Sequence, residues 1–316
     1  MKHMHKERRY NAKRMKKSIK KLHFINAKGA LKYNMTNDYL FRMVLQRDSE
    51  TLIMLICSLL HLKRDEVIEA HIENPIEPGA TISNKEYQLD IIVKLNGGIN
   101  VNLEMQVVNY KNWPMRSLSY LCRKFDSIAR GSDYNTAETV YHIGFLDFTL
   151  FEDHLEFFAQ YQVRNAKDNY LYTDKFNLFV VQLKSTTIAT EEDKLYGIDT
   201  WARLFKAKTW EEIKMITKEN PSLTSTAEAI YMSTADQNIL EQCRIREDNI
   251  AHEKYQNELI SSLTKETKTL TRELKSLSTE NKSLSSENKS LSSENKSLSD
   301  ENIRLKKILE DNGIRI

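Results

Sequence analysis

The chain has 316 residues, a formal net charge of +3 and 40% hydrophobic residues, enough for one sizeable core with extensions. A charged fraction of 29% and a mean hydropathy of −0.56 predict long solvated segments beside that core. No run of about 18 apolar residues exists, which excludes a membrane-spanning helix, and the basic start lacks the apolar stretch of a secretory signal.

Residues 1–33 hold twelve Lys or Arg and a single acidic residue, Glu7. Such a block is expected to be a basic arm that meets polyanions or a solvated tail. Met35 is a second candidate start. From Thr36 the pattern turns helical, with Thr36 or Asn37 as the cap and a break near Arg47. A second, strongly apolar helix follows over Glu50–Leu60. Cys57 lies in that run and reads as plain core. With Cys122 and Cys243 it makes three scattered thiols, which fits a reducing cytoplasm and argues against a zinc site.

Ala70 to Glu73 predicts a short strand, ended by Asn74-Pro75, and Glu77-Pro78-Gly79 a turn. Glu86 to Gln106 predicts a hairpin, two Val/Ile/Leu-rich runs around Asn96-Gly97-Gly98. On the second run Asn100, Asn102, Glu104 and Gln106 share a face, and on the first Gln88, Asp90 and Ile92 do. A three-residue loop sets Asp90 opposite Glu104, with Cβ atoms about 5 Å apart. Two carboxylates so placed repel unless a divalent cation lies between them. A two-residue loop shifts the register by one, sends them to opposite faces and leaves two solvated carboxylates.

Pro114 fits the first turn of a helix running to about Arg130, with Gly131 as its stop. Arg116, Tyr120 and Arg123 or Lys124 lie three or four apart and share a face. Without a ligand this is a solvated basic face with a half-buried Tyr. Strands are predicted at Thr139–Phe148, Glu156–Val163 and Phe176–Leu183, giving an α/β domain with a mixed sheet. Glu191 to Asp236 reads as a helical cap anchored by Trp201, Leu204, Phe205 and Trp210.

The tail repeats Leu every seven residues from Leu263 to Leu305, with Asn281, Asn288, Asn295 and Asn302 four residues after the later ones. With Leu at d, these Asn fall at a, and Glu280, Glu287, Glu294 and Glu301 at g. Sustained heptads predict a coiled coil, here a weak parallel homodimer in which each a-position Asn bonds its mate. The alternative is a low-complexity solvated helix. The expected organisation is a basic arm at 1–33, a core domain at 34–190, a cap or linker at 191–248 and heptads at 249–312.

These residues together resemble a known family. Asp90 on one strand, a hairpin and Glu104-Met105-Gln106 on the next look like the active site of PD-(D/E)XK nucleases, with Gln106 where many members have Lys. Asn37-Asp38-Tyr39-Leu40-Phe41-Arg42, Lys85, then Arg116 and Tyr120, then Gly131-Ser132-Asp133-Tyr134 are similar to the recombination-promoting nuclease (Rpn) group of that family's transposases. The resemblance spans about residues 35–185. It implies a restriction-endonuclease-like core, a mixed sheet flanked by helices, followed here by the α-helical coiled coil.

It also implies a Mg²⁺-dependent DNA endonuclease, with Mn²⁺ as the alternative ion. Asp90, Glu104 and the Met105 carbonyl would hold the ion, and Gln106 would position the attacking water. Asp38 would support the metal through water, or simply meet the helix dipole. Arg116 would hold a phosphate beside Tyr120, with Lys85 as a further supporting residue. The expected partner is double-stranded DNA. The competing expectations are a DNA-binding protein with an inactive nuclease fold, and a coiled-coil interaction protein descended from a mobile element.

Overall fold

The structure, a computed structural model, describes residues 22–76, 90–126 and 131–311. Lys85, Gln88, the Glu77–Gly79 turn, Arg130 and residues 1–21 of the basic segment lie outside the described residues. Residues 22–33 are packed on the body. Phe24 and Tyr33 are buried, His23 Nδ1 lies 2.6 Å from Glu228 Oε1, and the Leu31 amide donates to the Lys208 carbonyl. Met35 is itself among the most buried side chains.

Helix α1, Asp38–Arg47, starts where Asn37 Oδ1 accepts from the Leu40 amide at 3.2 Å. Helix α2, Ser49–Leu60, follows after the extended Asp48 and ends on His61 in the left-handed conformation. The strands are β1 Ala70–Ile72, β2 Ile91–Leu95 and β3 Ile99–Gln106. Helix α3, Trp113–Phe125, carries Pro114 in its first turn, ahead of β4 Thr139–Leu146, β5 Phe158–Gln162 and β6 Phe176–Gln182. Four helices come next, α4 Glu191–Leu195, α5 Ile198–Lys206, α6 Trp210–Glu219 and α7 Thr224–Thr234, before α8, Gln237–Asp311.

The described strands form one mixed sheet in the order β1-β2-β3-β4-β6-β5. The β3–β4 and β4–β6 pairs are parallel and the others antiparallel. Period-two alternation divides its residues between two layers. Val101, Leu103, Met105, Ile143 and Phe145 join the main core with Phe41, Leu55, Trp201 and Phe205 from α1, α2 and α5. A fully buried Leu or Phe of this kind contributes about 1.5–3 kcal/mol. Of the predicted cap helices, α5 packs on the face of the sheet opposite the polar residues of β3, with the Phe205 ring 5.3 Å from that of Phe145.

Helix α3 covers that polar face through Trp113, Leu121 and Phe125. A Cβ at Gly144 would stand 2.1 Å from the Trp113 ring, so only glycine lets the indole seat there. Gly144 pairs with Glu104 across the β3–β4 ladder. Its missing side chain thus sets how closely α3 approaches that carboxylate.

Contacts divide the chain after Glu253. Helix α8 spans 75 residues. In its first turns Ile239, Cys243 and Ile250 are buried in the body. Beyond Glu253 the heptad leucines, Leu263 to Leu305, are roughly half exposed. Among the described residues no helix is long and apolar enough to cross a membrane.

Candidate active site

The hairpin register decides where the two acidic residues go. Asn96–Gly98 form a three-residue turn with Gly97 and Gly98 at φ of +77° and +76°. Leu95 pairs with Ile99 and Ile91 with Leu103. One step further sets Asp90 opposite Glu104, the arrangement expected from the longer loop. Just before β2, the Asp90 carbonyl accepts from Arg42 Nη1 at 2.6 Å and from Asn74 Nδ2 at 2.9 Å. Arg42 also donates to the Asn74 carbonyl, and Asn74 Oδ1 receives the Ile92 amide at 3.0 Å. This buried clamp fixes the backbone from which the Asp90 side chain departs.

Asp90 and Glu104 are 7% and 2% exposed and share a cavity of about 90 Å³ with Asp38, Met105, Gln106, Tyr110, Arg116, Arg246 and Glu253. Met105 turns its side chain into the core, leaving its backbone at the cavity wall. Gln106 donates from Nε2 to the Val108 carbonyl at 2.8 Å. Six of the residues singled out from sequence are therefore brought together. Tyr120 is not. It lines the adjoining cavity of about 180 Å³, which also touches Asp90, Asn102 and His142. Its ring lies parallel to that of His142 with centroids 6.0 Å apart, and the Arg116 and Arg123 guanidinium carbons stand 5.5 and 5.9 Å from its centre.

The two buried carboxylates are unequally satisfied: Asn102 hydrogen-bonds Asp90, while Glu104 has only an ion pair among the described residues. Arg116 Nη2 lies 2.7 Å from Glu104 Oε1, yet neither Glu104 oxygen has an aligned hydrogen-bond donor among the described residues. Burial, then the charge of Asp90, pushes the Glu104 carboxyl up to about 8, against the pull of Arg116. Burial likewise raises Asp90, with Arg116 opposing. His142 is buried, and the low dielectric drives its ring down to about 3, so it is neutral at physiological pH. Asn102 Nδ2 donates to Nδ1 at 2.9 Å. The ring proton therefore sits on Nε2, 3.6 Å from Glu104 Oε2.

Asp38 has a partner that composition does not reveal. Arg246 Nε lies 2.9 and 2.8 Å from its two oxygens. Arg246 Nη1 stands 3.3 Å from Glu253 Oε1, and the Tyr110 hydroxyl donates to Glu253 Oε2. Arg246 and Glu253 are seven residues apart and fall, with buried Ile239, on the a positions of the tail's own heptad frame. Charges at two successive apolar-type positions are the signal that could have found them. Arg42 enters the sequence reading only as the last residue of the Asn37–Arg42 stretch, Asn74 only as a strand end, and His142 is a single polar residue in an apolar run.

The residues fit a hard divalent cation. The cavity lining carries four carboxylates (Asp38, Asp90, Glu104, Glu253) against two guanidiniums (Arg116, Arg246), a deficit of two charges. Among the described residues no three or more His, Cys, Asp or Glu side chains are grouped so as to hold a metal ion by themselves. Asp90, Glu104 and the Met105 backbone present oxygen donors, the kind a hard cation takes.

The family model for PD-(D/E)XK nuclease family transposases matches residues 35–266. No curated protein and no solved structure matches the chain. The matched span covers α1, the hairpin, α3 and the first turns of α8, all the elements that line the cavity. The chain belongs to the PD-(D/E)XK nuclease family transposases.

Proposed function

We propose that the chain is a metal-dependent DNA endonuclease that hydrolyses phosphodiester bonds. The observation that carries this reading is the buried, antiparallel opposition of Asp90 and Glu104, with neither Glu104 oxygen given an aligned hydrogen-bond donor among the described residues. Such a pair is costly in a folded protein unless something cationic joins it. Asp90, Glu104 and the Met105 carbonyl would hold Mg²⁺, with Mn²⁺ as the alternative ion. When bound, that ion lowers the pKa of a water and offsets charge on the phosphoryl oxygens.

The chain's own groups do the rest. Gln106 has an amide that both donates and accepts, and orients the attacking water through its oxygen while Val108 holds its nitrogen. Arg116 exchanges its contact with Glu104 for a phosphate oxygen, a planar fork suited to that geometry. His142 keeps its Nε2–H towards Glu104 and holds one orientation through Asn102. Tyr120 and Arg123 line the next cavity along α3, where the flanking nucleotide would lie. Lys85 and the basic residues of 1–21 would add phosphate contacts.

The tail would join two such chains as a parallel dimer, each domain cutting one strand. The domain itself occupies Ile239, Arg246 and Glu253, so zipper pairing would begin at Ile260. Incubating the purified protein with supercoiled plasmid, with and without Mg²⁺, tests the activity. Nicked or linear product in Mg²⁺ alone is expected. Intact plasmid in both arms, with DNA still retained in a gel shift, would favour the inactive DNA-binding reading.

A further inference from the structure

The Glu104-Met105-Gln106 stretch leaves the site without a cation at the position next to its second carboxylate. Gln106 is neutral at every pH and cannot stabilise charge building on a phosphoryl oxygen. Arg116, the cation expected from sequence, lies 2.7 Å from Glu104 and in the reading above turns from it to one phosphate oxygen, which leaves the place beside Gln106 unfilled. The same cavity contains one more guanidinium, and it arrives from a distant element. We propose that Arg246, carried by the first turns of α8, supplies the phosphate-facing charge that Gln106 lacks. The inference rests on the nuclease reading above.

Three observations support it. Arg246 lines the cavity together with Asp90, Glu104 and Gln106. Its guanidinium is held in one plane by Asp38 at 2.8 and 2.9 Å and by Glu253 at 3.3 Å, and Glu253 is itself fixed by the Tyr110 hydroxyl. Pre-orientation of this kind is what makes a charged donor effective at a reacting centre, because no reorganisation is needed when charge develops. Arg246 also sits at an a position whose neighbour one heptad earlier, Ile239, is fully buried. Stability alone gives no reason for a guanidinium there, since buried ion pairs roughly break even with apolar replacements. A chemical role does.

The first turns of α8 then belong to the active centre, and Asp38 acts as a positioning residue for Arg246. Arginine suits the task because it stays charged at all working pH values and offers a fork matched to phosphate.

The test compares Arg246→Lys, which keeps the charge, with Arg246→Gln, which keeps hydrogen bonding to Asp38 but not the charge. Cleavage is read under single-turnover conditions in Mg²⁺. The Gln variant is expected to lose on the order of 10²–10³-fold, the usual cost of one oriented donor, while the Lys variant stays within about tenfold of wild type. The decisive chain is the double variant Arg246→Gln with Gln106→Lys. A cation restored at position 106 should recover at least tenfold of the lost rate. A merely structural Arg246 predicts equal losses for Lys and Gln and no recovery by Gln106→Lys, and either result overturns the proposal.

Binding of a short duplex in Ca²⁺ across a salt series separates this inference from the nuclease reading. Removing one cation that neutralises a phosphate lowers the log–log salt slope by about 0.9. If wild type fails to cut but Arg246→Gln still lowers that slope, the phosphate contact stands and the nuclease reading falls. An unchanged slope overturns the contact whether or not the protein cuts. Melting curves for each variant show that it is folded before its rate is compared.

Discussion

Replacing Glu104 with Gln should stabilise the metal-free protein, although it removes a buried residue from a central strand. Glu104 titrates at about 8 in the folded chain, against 4.5 for an ordinary glutamate carboxyl. A carboxyl raised in this way keeps its contribution below the unfolded value, and stability falls as pH rises from about 4.5 to about 8. At pH 7 the solution stands roughly 2.5 pH units above the ordinary value, which at 1.36 kcal/mol per unit is about 3 kcal/mol. Glutamine preserves the shape and has no charge to bury, so this penalty disappears. Arg116, with its side chain 30% exposed, can return to water when its partner becomes neutral.

For a domain of this size 1 kcal/mol shifts Tm by about 2–4 °C. In chelator at pH 7–8 the variant should therefore melt about 6–12 °C above wild type, with the gap closing towards pH 4.5. Saturating Mg²⁺ should raise the Tm of wild type and leave the variant nearly unchanged. Thermal denaturation by circular dichroism over this pH range measures both. A variant that melts below wild type in chelator at pH 8 would refute the reasoning, because Glu104 would then be a net stabilising ion pair rather than half of a repelling one.

Gly144→Ala should cost about 1–3 kcal/mol through overpacking, because its Cβ would meet Trp113 at 2.1 Å. It should also weaken DNA binding as α3 lifts Arg116 away, measured by denaturant midpoint and gel shift. Ending the chain after Asn257 should leave a folded monomer that nicks plasmid without linearising it. Ending it after Asp248 removes Ile250 and Glu253 from the body and should lower Tm by several degrees. Changing Asn288 and Asn295 to Ile should tighten the full-length dimer in sedimentation, and a monomer at micromolar concentration in both forms would refute the zipper. Deleting residues 1–21 should lower the salt slope of duplex binding by about 0.9 for each phosphate the segment neutralises, and an equal slope would remove the segment from the interface.

The sequence is legible wherever a short-range pattern dictates the geometry. Asn96-Gly97-Gly98 marks the hairpin but allows two registers, and the three-residue loop that forms is the one that places Asp90 opposite Glu104. Alternation in β3 and the Pro114 start of α3 then put Arg116 above the polar face. Partners hundreds of residues apart leave no such pattern. Asp38 reads as a metal support or a helix-end residue, while its partner Arg246 lies 208 positions away on a helix whose leucine periodicity advertises a coiled coil and hides the charges at two of its a positions. The Arg42 and Asn74 clamp on the Asp90 carbonyl is equally silent, since a side chain bonding to backbone leaves no pairing pattern in the sequence. Gly144 carries no turn signal because its role is to make room for an indole from another element.

The central claim is that Asp90 and Glu104 together hold the ion that cuts DNA. Its most direct test is plasmid cleavage by wild type, Asp90→Ala and Glu104→Ala side by side across a Mg²⁺ titration, each protein first shown to be folded. The account predicts Mg²⁺-dependent nicking by wild type and loss of at least about 10³-fold in both variants, the scale expected when the charge-stabilising centre is removed. Cleavage by both variants at the wild-type rate would contradict it.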